Sequence, residues 1–445
     1  MFAGGYCMDF VITSAKIMGI KNIDKKIELT FTNKIFDFSI FSGNYIKTIY
    51  GSNGSGKSGI IHAFDILKTI VLSDFPFKEP IFASKLAKLI NKKTNNFYIE
   101  VNFSMNINDA LKRYRYCLSV SIDDDDVLSI DKEEIDLLDN RMDYSSTVVK
   151  TSNGNLVIAP KNNSIIKNYS EAFGRDNSIL RSIFPVGKID ADDKELCAFV
   201  AVIIFASAIN ASYGSESDRH LDFDYKTFID AIRNNKVKRV KFSRSSLTSF
   251  GNMMSGDKYL WIIRDNEEKE YTELTKKLLK FLKLAKPSLK DLKIHFKRDG
   301  NFSLCELEFV YPGKKKDYRV DYEFESTGIK KLCSLFKAFN EASKGGIVLI
   351  DEIDAGVHDV FLTSLIEYFA LYNNAQIICT THNIGLMESL KNMSKSIDIL
   401  ADDSTIHTWV KNGDLSPSSL YKKGYLSGTP FNLNPTDFSE VFSGE

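Results

Sequence analysis

The sequence predicts an α/β fold of two lobes, built from buried strands and helices, with a largely helical block inserted between them. Three observations predict it. A glycine-rich turn, Gly51-Ser52-Asn53-Gly54-Ser55-Gly56-Lys57-Ser58, joins an apolar strand at Ile46 to Tyr50 to a helical stretch from Lys57 to about Leu72. Two later runs, Ile347 to Ile350 and Ile377 to Cys379, are short and apolar, the pattern of strands buried on both faces. Between these landmarks the residues from 127 to 289 change character, to polar loops, an apolar helix and a lysine-rich amphipathic helix.

Each element follows from its local pattern. Apolar clusters at Phe10 to Ile12, Ile27 to Phe31 and Ile46 to Tyr50, separated by Gly, Asn and Asp, read as strands. The first helix stops before Pro76, and alternating strands follow at Phe97 to Phe103 and Tyr114 to Ile122. Asp123 to Asp126 closes the second of these as a solvated turn. In the inserted block, Leu196 to Ile209 reads as a core helix, because it falls short of the roughly 18 to 20 residues that cross a bilayer. Leu274, Leu278, Phe281, Leu282 and Ala285 share one face of another helix whose Lys276, Lys277, Lys280 and Lys283 lie elsewhere. After Pro287 strand patterns return, leading to a helix near 327–342. The expected organisation is therefore a lobe at 1–126, a mostly helical insertion at 127–289 and a second lobe at 290–445.

Composition narrows the class. Lys and Arg number 58, as do Asp and Glu, so no net field draws the chain to nucleic acid or an anionic membrane, and any such contact must be local. One candidate is the acid-free stretch of Arg233, Lys236, Lys238, Arg239, Lys241 and Arg244, which either grips a phosphate backbone or forms a solvated face. The six cysteines lack the close spacing of a zinc or redox pair and most sit in apolar surroundings, which points to a reducing, cytoplasmic setting. No secretory signal is expected from the N-terminus, and no membrane association.

Gly51 to Ser58 matches G-x-x-x-x-G-K-[ST] in the context that chemistry needs, after a strand and at a helix start. Backbone amides of Gly51, Ser52, Asn53, Gly54, Ser55 and Gly56 would face phosphate oxygens, Lys57 the β- and γ-phosphates, and the Ser58 hydroxyl a Mg²⁺ ion. Ile347 to Ile350 ends in Asp351 and Glu352, where α/β folds place ligands. Asp351 would hold the metal. Glu352 would polarise an attacking water, a second carboxylate that hydrolysis needs and binding alone does not.

With these in order, the sequence resembles the ABC ATPase superfamily, in its recombination-repair and chromosome-maintenance branch. The likeness rests on Ser326-Thr327-Gly328 opening a helix, where the family keeps its Ser-x-Gly signature; on Asp354 in Ile353-Asp354-Ala355-Gly356, the D-loop position; and on His382 after Ile377 to Thr381, the switch histidine. Ser326 lies 25 residues before Asp351 and His382 lies 31 after it. Within that branch the chain is similar to the AAA-15/AAA-21 ATPases of bacterial phage-defence, or abortive-infection, systems, and Gly424 to Pro430 is similar to their tail. The resemblance implies an ABC-type head, a mixed sheet flanked by helices, that binds ATP and Mg²⁺ and dimerises or forms larger homo-oligomers around nucleotide. Glu352, His382 and Lys57 would be catalytic; Ser326, Gly328 and Asp354 would contact nucleotide. No glutamine of the family's Q-loop follows the strand at 97–103.

Such relatives act with a nuclease, fused or separate. Only 63 residues follow His382, too few for a Toprim domain, and the other histidines are scattered without metal-ligand spacing. The sequence therefore predicts an ATPase that serves as sensor or scaffold for a separate effector in anti-phage defence; the competing reading is a repair ATPase that clamps DNA directly.

Overall fold

The computed structural model describes residues 10–32, 45–107, 110–139, 144–160, 164–183, 189–190, 193–213, 237–238, 261–264, 267–299, 302–372, 376–393, 395–411, 415–426 and 428–429. The antiparallel strands β1 (Phe10–Met18), β2 (Ile27–Thr30), β4 (Asn96–Ile107), β5 (Ala110–Ile122), β6 (Leu128–Leu138), β7 (Tyr144–Ser152) and β8 (Asn155–Ile158) form one sheet in the order β2-β1-β4-β5-β6-β7-β8. A second sheet runs β10-β16-β17-β3-β18-β19, from β3 (Tyr45–Gly51), β10 (Ile209–Ser212), β16 (Ile347–Ile350), β17 (Gln376–Thr380), β18 (Ile397–Leu400) and β19 (Ile406–Thr408). Its pairings are parallel except β18 with β19. The fold is the expected α/β one with a mixed sheet.

The parallel sheet divides two hydrophobic cores, and its strands show how. In β16, Ile347 and Leu349 join the core shared with the antiparallel sheet, while Val348 and Ile350 join the other. A strand that projects alternate side chains to opposite faces must be apolar throughout when both faces are covered. The first core is filled by α1 (Lys57–Leu72) and α4 (Lys194–Ala208), and takes in Phe82 and Leu86 of α2 (Pro80–Leu89) and Ile166 of α3 (Ser164–Phe173). Asp193 caps α4, accepting the Leu196 N–H, and Phe205 on this helix stacks on Phe103 with ring centroids 4.1 Å apart. This is the apolar run read as a core helix; among the described residues no helix is long and apolar enough to cross a membrane. The second core lies under α5 (Glu268–Ala285), α6 (Thr327–Ala342) and α7 (Asp359–Tyr372), beside the small sheet of β12 (Trp261–Arg264), β13 (Asp291–Asp299), β14 (Phe302–Tyr311) and β15 (Tyr318–Asp321). Leu278 and Leu282 of α5 are buried and its lysines are exposed, but Ala285 faces solvent.

The side-chain amide of Gln376 latches the two large sheets, accepting the Ile12 N–H (2.8 Å) and donating to the Ile12 carbonyl (2.9 Å). That bond pair sits beside the register slip of β1 against β4 between Ile12 and Ser14, beyond the point where the pairing of β1 with β2 ends at Ser14.

The block read as an insertion at 127–289 differs from that expectation at its edges. Strands β6, β7 and β8 lie in this block and continue the sheet of β5 after the turn at Asp123 to Asp126, and Ile209–Ser212 is a parallel strand beside β16. Charged β6, with Asp131, Lys132, Glu133 and Glu134, hides its strand character. Glu133 is buried, yet it accepts hydrogen bonds from Tyr116 Oη (2.8 Å), Ser178 Oγ (2.6 Å) and the Ile179 N–H (2.8 Å). Burial pushes its carboxyl upward against these bonds. Of the basic stretch at 233–244, only β11 (Val237–Lys238) is described, in a short parallel pairing with β9 (Ile189–Asp190); the other basic residues lie outside the described residues.

Candidate nucleotide site

β3 runs straight into the turn Gly51 to Gly56, and Lys57 opens α1. The turn needs glycine at two positions for physical reasons. At Gly51, φ is +150° and a Cβ would lie 2.4 Å from the Leu400 carbonyl oxygen; at Gly56, φ is +103° and a Cβ would meet Ile23 at 2.8 Å. Gly56 stands at the N-cap and offers no side-chain cap, so no capping side chain competes with an anion at the start of α1. The buried Ser55 hydroxyl has no hydrogen-bond partner among the described residues. A glycine cradle, an uncapped helix start and an orphaned hydroxyl together suit a phosphate group.

Lys57 is 8% exposed and donates to the carbonyls of Gly51 (2.9 Å) and Ser52 (2.7 Å). Burial lowers its pKa, opposed by the field of Asp351, Glu352, Asp402 and Asp354. No carboxylate bonds it directly within these contacts. Ser52 Oγ donates to Asp402, which ties the turn after β18 to the loop.

The acidic pair sits at the end of β16. Asp351 is buried and Glu352 exposed, and Glu352 holds a left-handed backbone, φ +47°, an unusual conformation for a non-glycine residue. Thr380, at the end of the neighbouring β17, touches both: its hydroxyl donates to Asp351 Oδ1 (2.5 Å) and accepts the Glu352 N–H (2.8 Å). One residue on, Thr381 Oγ1 donates to Asp354 Oδ1 (2.7 Å), and the His382 N–H points at the same carboxylate (3.3 Å). His382 is exposed at the strand end. Its imidazole is held below the usual histidine range, first by partial burial and then by the Lys57 cation, against the pull of Asp354, Glu352 and Asp351.

These residues meet in one cavity of about 640 Å³ lined by Asn53, Gly54, Gly56, Lys57, Ser58, Glu352, Thr380 and His382. Sequence reasoning missed part of its wall. Lys21 and Asn22, in the turn after β1, and the segment from Lys88 to Lys93 also line it. Asn22 donates its side-chain amide to the Gly54 carbonyl, and Asn91 donates to the Lys21 carbonyl (2.6 Å). The only sequence signal for this wall is the density of Lys and Asn at 88–95.

Ser326 and Gly328 are elsewhere. Ser326 caps α6, its hydroxyl accepting the Ile329 N–H (3.4 Å), and both residues line a separate groove of about 1120 Å³ among α5, α6 and α7. Gly328 lies against the D-loop: a Cβ there would be 3.0 Å from the Gly356 carbonyl oxygen. The structure thus brings Lys57, Ser58, Glu352 and His382 around one cavity, with Asp351 beneath it and Asp354 behind His382, and leaves the signature outside it.

A family model described as "AAA domain, putative AbiEii toxin, Type IV TA system" matches residues 206–388, the stretch that carries Ser326, Asp351, Glu352, Asp354 and His382. None of the curated proteins matches the chain. Similar solved structures include an Smc head bound to the C-terminal winged-helix domain of ScpA (16% identity over 91% of this chain and 98% of that one, TM-score 0.43). An Smc head with an extended coiled coil, bound to the C-terminal domain of ScpA from Pyrococcus furiosus, is 15% identical over 90% and 96%, TM-score 0.42. A Pyrococcus yayanosii Smc head with a coiled coil and joint is 13% identical over 91% and 97%, TM-score 0.39.

Proposed function

We propose that this chain is an ABC-type ATPase that hydrolyses ATP at a site completed only by a second copy of itself. The observation that carries this reading is the division of the motifs: phosphate loop, acidic strand end and switch histidine line one cavity, and the signature lines another. A γ-phosphate held by Lys57 in one subunit would then be met by Ser326 and the Gly328 N–H of its partner. Because that bridge exists with ATP and not with ADP, ATP favours the closed pair; this differential affinity is the switch.

Within the site each residue has a task. The loop amides, the first turn of α1 and Lys57 bind and orient the triphosphate. Ser58 and Asp351 would hold Mg²⁺, which when bound offsets phosphate charge. Glu352 orients the attacking water and accepts its proton. His382, kept neutral, can donate a hydrogen bond to a phosphate oxygen without adding a charge. We further read the ATP-driven pairing as control over a separate effector, a nuclease, in anti-phage defence; the toxin and toxin-antitoxin wording of the matched family lends this support.

Complementation tests the shared site. Ser326→Arg should bind ATP without hydrolysing it, and Lys57→Ala should not bind it. Mixing the two should restore some turnover, since that pair contains one phosphate loop facing one intact signature. Normal hydrolysis by Ser326→Arg as a dilute monomer would sink the reading. Stimulation of the unmixed chain by DNA in a salt-sensitive way would favour the clamp over the effector switch.

A further inference from the structure

We infer that Thr380 is a positioning residue for hydrolysis: its one hydroxyl sets the geometry of the Asp351–Glu352 pair. This inference rests on the reading of Glu352 as the residue that orients water. The argument is one of hydrogen-bond capacity. A threonine hydroxyl has a single proton and two lone pairs. Here the proton goes to Asp351 Oδ1, so only the lone pairs are left to receive the Glu352 N–H, and both bonds are made. The Thr380 carbonyl takes the next amide, that of Ile353 (3.1 Å), so one residue of β17 grips three consecutive residues beyond β16.

That grip falls at a strained point of the backbone. Glu352 sits at φ +47°, which an L-residue adopts only when its surroundings hold it there. The hydroxyl bond to its N–H supplies such a hold, and the same oxygen fixes one face of Asp351. Thr380 is fully buried, and although it lines the cavity, its hydroxyl is spent on these two residues. Its contribution is therefore to the placement of Glu352, and not to the phosphate loop, which is carried by β3 and α1.

Valine removes the hydroxyl and keeps the branched shape; serine keeps the hydroxyl and loses a methyl. In Thr380→Val, turnover at saturating ATP should fall by about tenfold or more, with ATP affinity within about threefold of the parent, as expected when positioning and not binding is lost. Thr380→Ser should stay within about threefold of the parent in both. Crystal structures of the two variants supply a readout independent of turnover: Glu352 should leave the left-handed region in Thr380→Val and keep it in Thr380→Ser. The inference is overturned if Thr380→Val retains both the Glu352 backbone and parental turnover, or if Thr380→Ser loses as much as Thr380→Val. Failure of the underlying reading looks different: Glu352→Gln would hydrolyse ATP like the parent, and the crystal structures would still decide whether the hydroxyl holds the bend.

Discussion

Two lysines on or next to β3 meet carboxylates in opposite ways. Lys47, in the middle of the strand, pairs with Asp398 of β18 at 2.6 Å, and both side chains are buried. Lys57, just past the end of the strand, faces Asp351, Glu352, Asp354 and Asp402 through space but donates to loop carbonyls. The first pair is closed. Desolvation pulls the Lys47 pKa down, and the direct bond to Asp398 opposes that pull. At the second position, cation and anions are held near one another without being joined, which leaves each free to engage a ligand carrying both phosphate and metal. The same residue types thus serve cohesion in mid-strand and stand open to a ligand at the strand end, and the difference lies in whether the charges satisfy each other.

Substitutions on the two sides should separate accordingly. At the strand end the largest effect belongs to Glu352→Gln, which should lower turnover by about 10²- to 10⁴-fold while ATP still binds, and should accumulate as an ATP-bound pair or larger assembly on sizing. Lys57→Ala should instead abolish binding itself, so equilibrium binding measured beside turnover tells the two apart, and equal loss of binding in both would remove the role given to Glu352. In mid-strand, Asp398→Ala should cost about 3 to 5 kcal/mol of folding stability by leaving Lys47 buried and unpaired. Joint replacement by Met at 47 and Leu at 398 should recover much of that loss, and denaturant melts of the single and double variants decide it. The smallest effect is electrostatic. The Lys57 cation lowers the His382 pKa, so Lys57→Ala should move the His382 titration midpoint upward, toward the usual histidine value, in an NMR pH series. A downward move would mean that Lys57 does not act on His382 in the way its position implies.

The phosphate loop, the acidic strand end and the helices Lys57–Leu72 and Thr327–Ala342 were legible because each is a local pattern: glycines before a helix, an apolar run before carboxylates, a Ser cap before a periodic stretch. The extent of the antiparallel sheet was not. β6 reads as polar because Glu133 finds its partners on Tyr116 and on Ser178 and Ile179, 45 and 46 residues further along the chain. Thr380 was equally opaque, since a threonine at a strand end is ordinary until its neighbour across the sheet is known. Lys21 and Asn22 reach the cavity only through the fold of β1 onto the phosphate loop, which no spacing in the sequence encodes.

The two-sided burial of β16 has a consequence for folding fidelity. A strand with one wet face is locked in register, because a one-residue slip would turn its apolar side chains to water. Ile347, Val348, Leu349 and Ile350 carry no such safeguard, for a slip exchanges one oily face for another. The discrimination falls to the polar end of the strand, where the Asp351 N–H meets the Ser212 carbonyl at 2.8 Å and the Glu352 N–H meets Thr380 Oγ1. A strand shifted by one residue would break both bonds and carry the carboxylates about 3.3 Å along the sheet. The groups proposed as the reaction centre therefore also proofread the alignment of the strand that presents them.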